Sequence, residues 1–141
     1  MKNYRYKSLK LLAVSALSTI LVVACSTSPT GRSQMVLKSD AELAAEGTRQ
    51  FNKLREEAPL VKDRATIDYV ACVANAIVEV LDDKNRQMYW ELAVIDQAQV
   101  NAFVMPGGKI SVFSGIMGVA KNQHQLAAVM GHEVAHVTAK H

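Results

Sequence analysis

Apolar positions along residues 39–141 recur every three to four residues, then every two, then every three to four again. Leu43, Gly47, Phe51 and Leu54 fall on one face of a helix that opens at Ser39, where Glu42 completes a capping box, and closes at Ala58-Pro59. Ile67, Val70, Ala71, Ala74, Ile77, Val78 and Leu81 repeat with the same period, marking a second core-packing helix closed by Asp82-Asp83-Lys84-Asn85. The period then drops to two. Met88, Trp90, Leu92 and Val94 alternate with Tyr89, Glu91, Ala93 and Ile95, the pattern of a strand, with Trp90 in the core. Residues 101–105 and 109–113 are short strand-like runs separated by Pro106-Gly107-Gly108, a turn signal that predicts a hairpin. Ser114 is expected to cap a short helical stretch, and Asn122 with Gln125 to cap a final helix. The order helix, helix, strand, hairpin, helix predicts an α+β domain, mainly helical, with a small sheet or hairpin beside the last helix.

That last helix carries the chemistry. Leu126, Val129, Met130, Val134 and Val137 project to one side, while Ala127, Ala128, Gly131 and Ala135 give a small, close-packing surface, so the helix is expected to be buried in almost every direction. Within it stand His132, Glu133 and His136 in the pattern H-E-x-x-H, a zinc peptidase signature. Four helical residues bring His136 to within roughly 40° of His132, one turn further along, so both imidazoles can reach one metal ion. Glu133 lies beside them, placed to take a proton from an attacking water. The competing reading is a buried helix that happens to hold these residues. Left unpaired, a carboxylate and two imidazoles would each cost several kcal/mol there, and one Zn2+ per chain satisfies all three. His124, two turns earlier, and His141 read as surface residues. A catalytic zinc takes three protein ligands, yet no acidic residue follows Glu133; Glu91 and Asp96 are the upstream carboxylates that remain open for the role. The helix also stops without a glycine, proline or polar turn, and the chain is expected to be the N-terminal part of a longer domain.

The first 24 residues differ in kind. Lys2, Arg5, Lys7 and Lys10 precede an apolar run over residues 11–24, and no acidic residue occurs before Asp40, which predicts a secretory signal. As a helix the run would reach only about 20 Å of a roughly 30 Å hydrocarbon core. Val22-Val23-Ala24-Cys25 resembles a bacterial lipobox, which predicts cleavage before Cys25 and lipidation of its thiol as the membrane anchor; an ordinary cleavage site is the alternative. Ser26 stands where an inner-membrane retention signal would place aspartate, so resemblance to bacterial lipoproteins points to the outer membrane of a Gram-negative bacterium, facing the periplasm. The chain thus divides into a signal (1–24), a polar lipid-anchored linker (25–38) and the domain (39–141). Removing the signal turns a formal charge of +3 into −1, twelve basic residues against thirteen acidic ones. No basic patch argues for nucleic acid. Cys72 is then an odd thiol, either packed as a small residue against a neighbouring element or paired with a cysteine outside this sequence.

Asn101-Ala102-Phe103-Val104-Met105-Pro106-Gly107-Gly108 followed by His132-Glu133-Val134-Ala135-His136 resembles the gluzincin metallopeptidases related to HtpX and the CAAX prenyl endopeptidases, in their periplasmic lipoprotein branch. The resemblance begins near Thr30 and runs to the end of the chain. H-E-x-x-H alone is shared by many zinc peptidases, and its combination with N-A-F-x-x-P-G-G about thirty residues earlier is the more specific sign. The resemblance implies a zincin-like metallopeptidase domain with His132 and His136 as zinc ligands and Glu133 as the catalytic base. It also implies a third ligand, a glutamate on a later helix, that this sequence does not contain. The activity implied is direct hydrolysis of peptide bonds in unfolded or misassembled envelope proteins, a periplasmic quality-control role. The strand beginning Asn101, Ala102, Phe103 would lie beside the cleft and pair with an extended substrate, an ordinary hairpin strand being the equal alternative. A catalytically silent, lipid-anchored binding module or an inactive fragment are the readings left open by the missing ligand.

Overall fold

The computed structural model describes residues 38–140, together with the backbone of Cys25–Thr27 and Ser33–Met35. The expected signal, the side chain of Cys25 and His141 lie outside the described residues. The chain forms two compact units, Met1–Leu37 and Lys38–His141. In the first, β1 (Cys25–Thr27) and β2 (Ser33–Met35) pair antiparallel, Ser26 opposite Gln34, so the stretch expected as a plain tether carries a short ladder. No helix among the described residues is long and apolar enough to cross a membrane.

In the second unit, helix α1 (Asp40–Glu57) opens with the anticipated capping box: the Ser39 hydroxyl accepts from the Glu42 amide at 3.2 Å, and the Ser39 amide donates to the Glu42 carboxylate at 2.8 Å. The hydroxyl of Ser39, then its amide, holds the Glu42 carboxyl below the usual carboxylate range. Helix α2 (Arg64–Glu79) is capped by Asp63, which accepts from the Thr66 amide and hydroxyl and is likewise lowered, the hydroxyl being the larger cause. The Asp82-Asp83-Lys84-Asn85 stretch does more than end α2; it forms a one-turn helix, α3 (Asp83–Arg86), with Asp82 as its cap.

Three strands follow, β3 (Glu91–Ile95), β4 (Ala102–Met105) and β5 (Lys109–Phe113), in the spatial order β3-β5-β4. The β4–β5 hairpin is antiparallel as expected, with Phe103 opposite Ser111. Strand β3 runs parallel to β5 on its other side, Glu91 opposite Lys109 and Ile95 opposite Phe113. The alternation from residue 88 exceeds the strand because the ladder to β5 begins with Glu91 opposite Lys109; Gly107 and Gly108 form the turn at φ of 85° and 77°, and the Gly108 carbonyl accepts from the Glu91 amide at 2.9 Å. Trp90 is half-buried against the core, and its indole N–H donates to the Asn85 carbonyl at 3.0 Å.

The sheet is covered on both faces. Phe51 of α1 packs with Ala93, Ile95 and Phe113 on one face. Val70 and Ala74 of α2, with Leu126 and Met130 of the last helix, pack with Val94, Ile110 and Val112 on the other. Central β5 is accordingly buried throughout. A Cβ at Gly47 would lie 2.1 Å from the Pro106 carbonyl oxygen, so α1 rests directly on the hairpin turn and the P-G-G segment is where helix, turn and sheet interlock.

Ser114 does not cap the 3-10 helix Ser114–Gly118; its hydroxyl donates to the Gln97 carbonyl at 3.0 Å, because Gly115 lets the 97–99 backbone close over this corner. Cys72 is exposed among the described residues rather than packed against a neighbouring element, since its position on α2 lies off the stripe that meets the sheet.

Candidate active site

Helix α4 (Gln123–Thr138) begins where Asn122 Oδ1 accepts from the His124 and Gln125 amides at 3.1 and 3.0 Å, while Gln125 Oε1 accepts from the Lys121 amide at 2.7 Å. Its end is also built. Lys140, just past the cap Ala139, takes a left-handed φ of 58°, and its ammonium meets both carboxylate oxygens of Asp40 at 2.7 and 2.9 Å. No glycine closes the helix; Lys140 itself takes the left-handed position, its amide donating to the Val137 carbonyl at 3.2 Å.

Only one stripe of α4 is buried, Leu126, Met130 and Val134, spaced four apart. The expected burial on almost every side is not found among the described residues. Ala128, Val129, Ala135, His132 and His136 are exposed, and a Cβ at Gly131 would meet nothing within 4 Å. Among the described residues α4 packs chiefly on β4 and α2, through Leu126 and Met130. A desolvation argument for a metal therefore does not apply to the two histidines. Their mutual geometry bears on the question instead. His132 Nε2 and His136 Nε2 are 3.0 Å apart, with rings nearly perpendicular at 84°. Two nitrogens on a tetrahedral zinc stand about 3.3 Å apart given bonds of about 2.0–2.1 Å. The donor pair thus fits two corners of a zinc site.

No group of three metal-ligating side chains converges among the described residues. Glu91 meets Lys109 at 2.6 Å and Arg55 at 3.9 Å, and as a neighbour of Ala93 two positions on it belongs to the α1 side of the sheet, away from α4. Asp96 lies at the far end of β3, with the Ser114 hydroxyl 3.4 Å away. His124 is exposed in the first turn of α4.

Glu133 is half-buried and lines a cavity of about 440 Å³ together with Asn101 and Ala102. Phe103, the third residue expected in the cleft, sends its ring to the other face of the sheet, 6.0 Å from that of Phe113. The Phe113 amide donates to the Asn101 carbonyl at 3.0 Å, which sets the phase of the ladder. In an antiparallel pair the bonds alternate, so Asn101, Phe103 and Met105 direct main-chain groups at β5, while Ala102 and Val104 direct theirs at the open edge. Ile116, Ala120 and Gln125 also line the cavity, and three exposed valines, Val100, Val119 and Val129, complete it. Of these valines only Val129 carried a sequence signal, and that signal pointed to the core rather than to a cleft.

Residues 65–141 match the family described as peptidase family M48. The chain is 45% identical over 73 residues to the mitochondrial metalloendopeptidase OMA1 of Schizosaccharomyces pombe, covering 52% of this chain and 21% of that protein. It is 30% identical over 122 residues to the mitochondrial metalloendopeptidase OMA1 of Bos taurus, covering 79% and 22%. It is also 30% identical over 95 residues to the beta-barrel assembly-enhancing protease of Escherichia coli strain K12, covering 67% and 19%. The chain spans about a fifth of the length of these relatives.

Proposed function

Because this chain belongs to peptidase family M48, a family of metallopeptidases, we propose that it is a zinc-dependent endopeptidase acting on unfolded or misassembled envelope proteins. The observation that carries the reading is the placement of Glu133 in one cavity with Ala102 of the open strand edge, on the helix where the His132 and His136 Nε2 atoms converge. His132 and His136 would hold the zinc, the third position being filled by a ligand outside the described residues. Bound there, zinc supplies polarisation of the scissile carbonyl and a lowered pKa for the attacking water.

The chain's own residues do the remainder. The open edge of β4 offers the main-chain groups of Ala102 and Val104, spaced to bond an extended peptide as an added strand. Such pairing needs a substrate backbone free of its own structure, which favours unfolded segments. Glu133 takes the proton of the attacking water and passes it to the leaving amine, with no covalent intermediate. The Lys140–Asp40 pair ties the end of α4 to the start of α1 and so steadies the helix bearing all three residues.

The site of action is proposed from the N-terminal residues. A signal ending at Ala24 with a lipid on Cys25 would anchor the enzyme to the outer membrane, facing the periplasm. The similarity to a protease named for enhancing beta-barrel assembly supports this setting, whereas the mitochondrial relatives carry the same peptidase region elsewhere. Replacing Cys25 by Ser should release the protein from the membrane fraction and abolish labelling by radioactive palmitate.

Glu133→Gln tests the chemistry. Cleavage of an unfolded reporter protein should fall about 10²–10⁴-fold while zinc content by atomic absorption stays near one per chain. Unchanged cleavage would remove Glu133 as the base, and a full-length protein that binds unfolded reporter without cutting it would be the silent binding module.

A further inference from the structure

Two polar residues are buried among the described residues, Lys109 and Ser111, and they stand two apart on the α1 face of the central strand β5. Lys109 is 3% exposed, at a position where an apolar side chain would extend the cluster of Phe51, Ala93, Ile95 and Phe113. An uncompensated ammonium there would be strongly unfavourable. It is compensated from three directions. The Glu91 carboxylate lies 2.6 Å away, the Tyr89 carbonyl accepts at 3.1 Å, and the Tyr89 ring covers the ammonium with its centroid at 4.6 Å. Arg55 of α1 stands 3.9 Å from the other oxygen of Glu91. Glu91 and Lys109 are also the first pair of the β3–β5 ladder, and Met105 with Lys109 is the pair that closes the hairpin at the P-G-G turn. One side chain thus joins β3, the approach to β3 and the turn end of the hairpin.

We propose that Lys109 is a positioning residue for the substrate edge: its clasp on Glu91 and Tyr89 fixes where β5, and through it β4, lies along the sheet beside Glu133. For its kinetic consequence this rests on the peptidase reading of Glu133 and the β4 edge. Strand β5 is buried at every position, so alternation of buried and exposed side chains gives it no phase. Ile110, Val112 and Phe113 would be covered on either face, whereas Lys109 would not be satisfied on either. Slipped by one residue, β5 would turn the ammonium towards Val70, Ala74, Leu126 and Met130, which offer no carboxylate. Slipped by two, it would carry the ammonium about 7 Å along the strand from Glu91. The observed register alone gives Lys109 its partners. A buried ion pair adds little stability over well-packed apolar residues, and specifying register is its best-attested use. Strand β4 depends on such a pin because its ladder is to β5 alone, so its placement is inherited from β5. An added substrate strand meets the main-chain groups of Ala102 and Val104 in line with Glu133 only while that placement holds.

Stability and substrate handling separate this role from that of an ordinary core ion pair. In the full-length protein, Lys109→Met should lower the melting temperature and slow cleavage of an unfolded reporter. Adding Glu91→Leu removes both charges, and the melting temperature should return close to the wild-type value because apolar side chains suit the site. KM for the reporter should nevertheless stay raised about tenfold with kcat little changed, since only molecules with β4 in place bind it. Amide hydrogen exchange at Met105 and Lys109, the closing pair, should likewise stay faster than in wild type. Recovery of KM and exchange along with the melting temperature would overturn the positioning role and leave Lys109 an ordinary buried ion pair. Tyr89→Ala, at a residue 75% exposed, uncovers the ammonium without touching the core, and it decides the matter where the double variant stays unstable. KM should then rise about threefold at an unchanged melting temperature; unchanged KM and unchanged exchange would equally overturn the role. Faster exchange at Met105 and Lys109 in these variants, with no cleavage by wild type, would keep Lys109 as the pin of the hairpin and remove the peptidase reading.

Discussion

The sheet ends in two edges that are finished in opposite ways. Beside β3, residues 59–61 run along the strand: the Val61 amide donates to the Val94 carbonyl at 2.9 Å, the Asp96 amide donates to the Pro59 carbonyl at 2.7 Å, and Leu60 bridges Ile95. Beside β4, no hydrogen bond among the described residues reaches the outward main-chain groups of Ala102 and Val104. An unpaired edge invites pairing with any extended chain, and proteins ordinarily blunt or cover it. Here the covering is spent on the edge far from Glu133, and the edge beside Glu133 is open. The difference teaches where an extended substrate can be received: the same backbone chemistry is a hazard at one edge and the proposed means of binding at the other.

Gly47 carries the largest expected effect. A methyl group there would sit 2.1 Å from the Pro106 oxygen, so Gly47→Ala must push α1 off the hairpin turn, at a cost of about 3 kcal/mol. A clear drop in melting temperature is expected, with faster hydrogen exchange in β4; an unchanged melting temperature would mean the turn yields freely. Ala102→Pro is the sharper test of the open edge. Its amide faces away from β5, so the ladder survives, and the loss falls on substrate pairing: cleavage should decline about tenfold with little change in melting temperature. Val61→Pro is its mirror at the closed edge, removing one hydrogen bond to Val94 and costing about 1 kcal/mol of stability, with cleavage of the same substrate unchanged in preference.

Acid should act least. Asp63, which caps α2 directly after the sealing segment, and Glu42 in the α1 cap both have carboxyls lowered by hydrogen bonds. Their folded-state values lie below the unfolded ones, so their contribution is complete above the ordinary carboxylate range and is lost as pH falls through the folded values. Melting temperature should therefore respond little to these caps between about pH 8 and pH 5 and begin to fall only below about pH 4. An effect of Asp63→Asn that did not shrink at all as pH fell below the ordinary carboxylate range would contradict a charge-based cap.

The elements were largely legible because their signals are local. Ser39 with Glu42, Ala58-Pro59 and the Pro106-Gly107-Gly108 turn each act within a few residues and are found where they were expected. The two histidines converge because helical geometry alone sets a four-residue spacing. Phe103 was harder to place, since a strand alternates faces and the sequence does not say which face meets the cleft. Burial of α4 was over-read for a related reason: alanines and valines around a helix show what could be covered, whereas cover depends on whether another element lies there. Lys140 shows the converse, a helix end secured by a residue no local pattern connects to it.

The amino-acid sequence alone was enough for the three long helices, the caps at Ser39 and Asn122, the hairpin and the H-E-x-x-H spacing, because period, capping and turn chemistry are properties of neighbouring residues. Tertiary structure decided that β3 lies parallel to β5, that its outer edge is sealed while that of β4 is open, and that three valines from distant segments gather beside Glu133. Strand pairing and exposure are settled by contacts between residues far apart in the chain, and no local period encodes them.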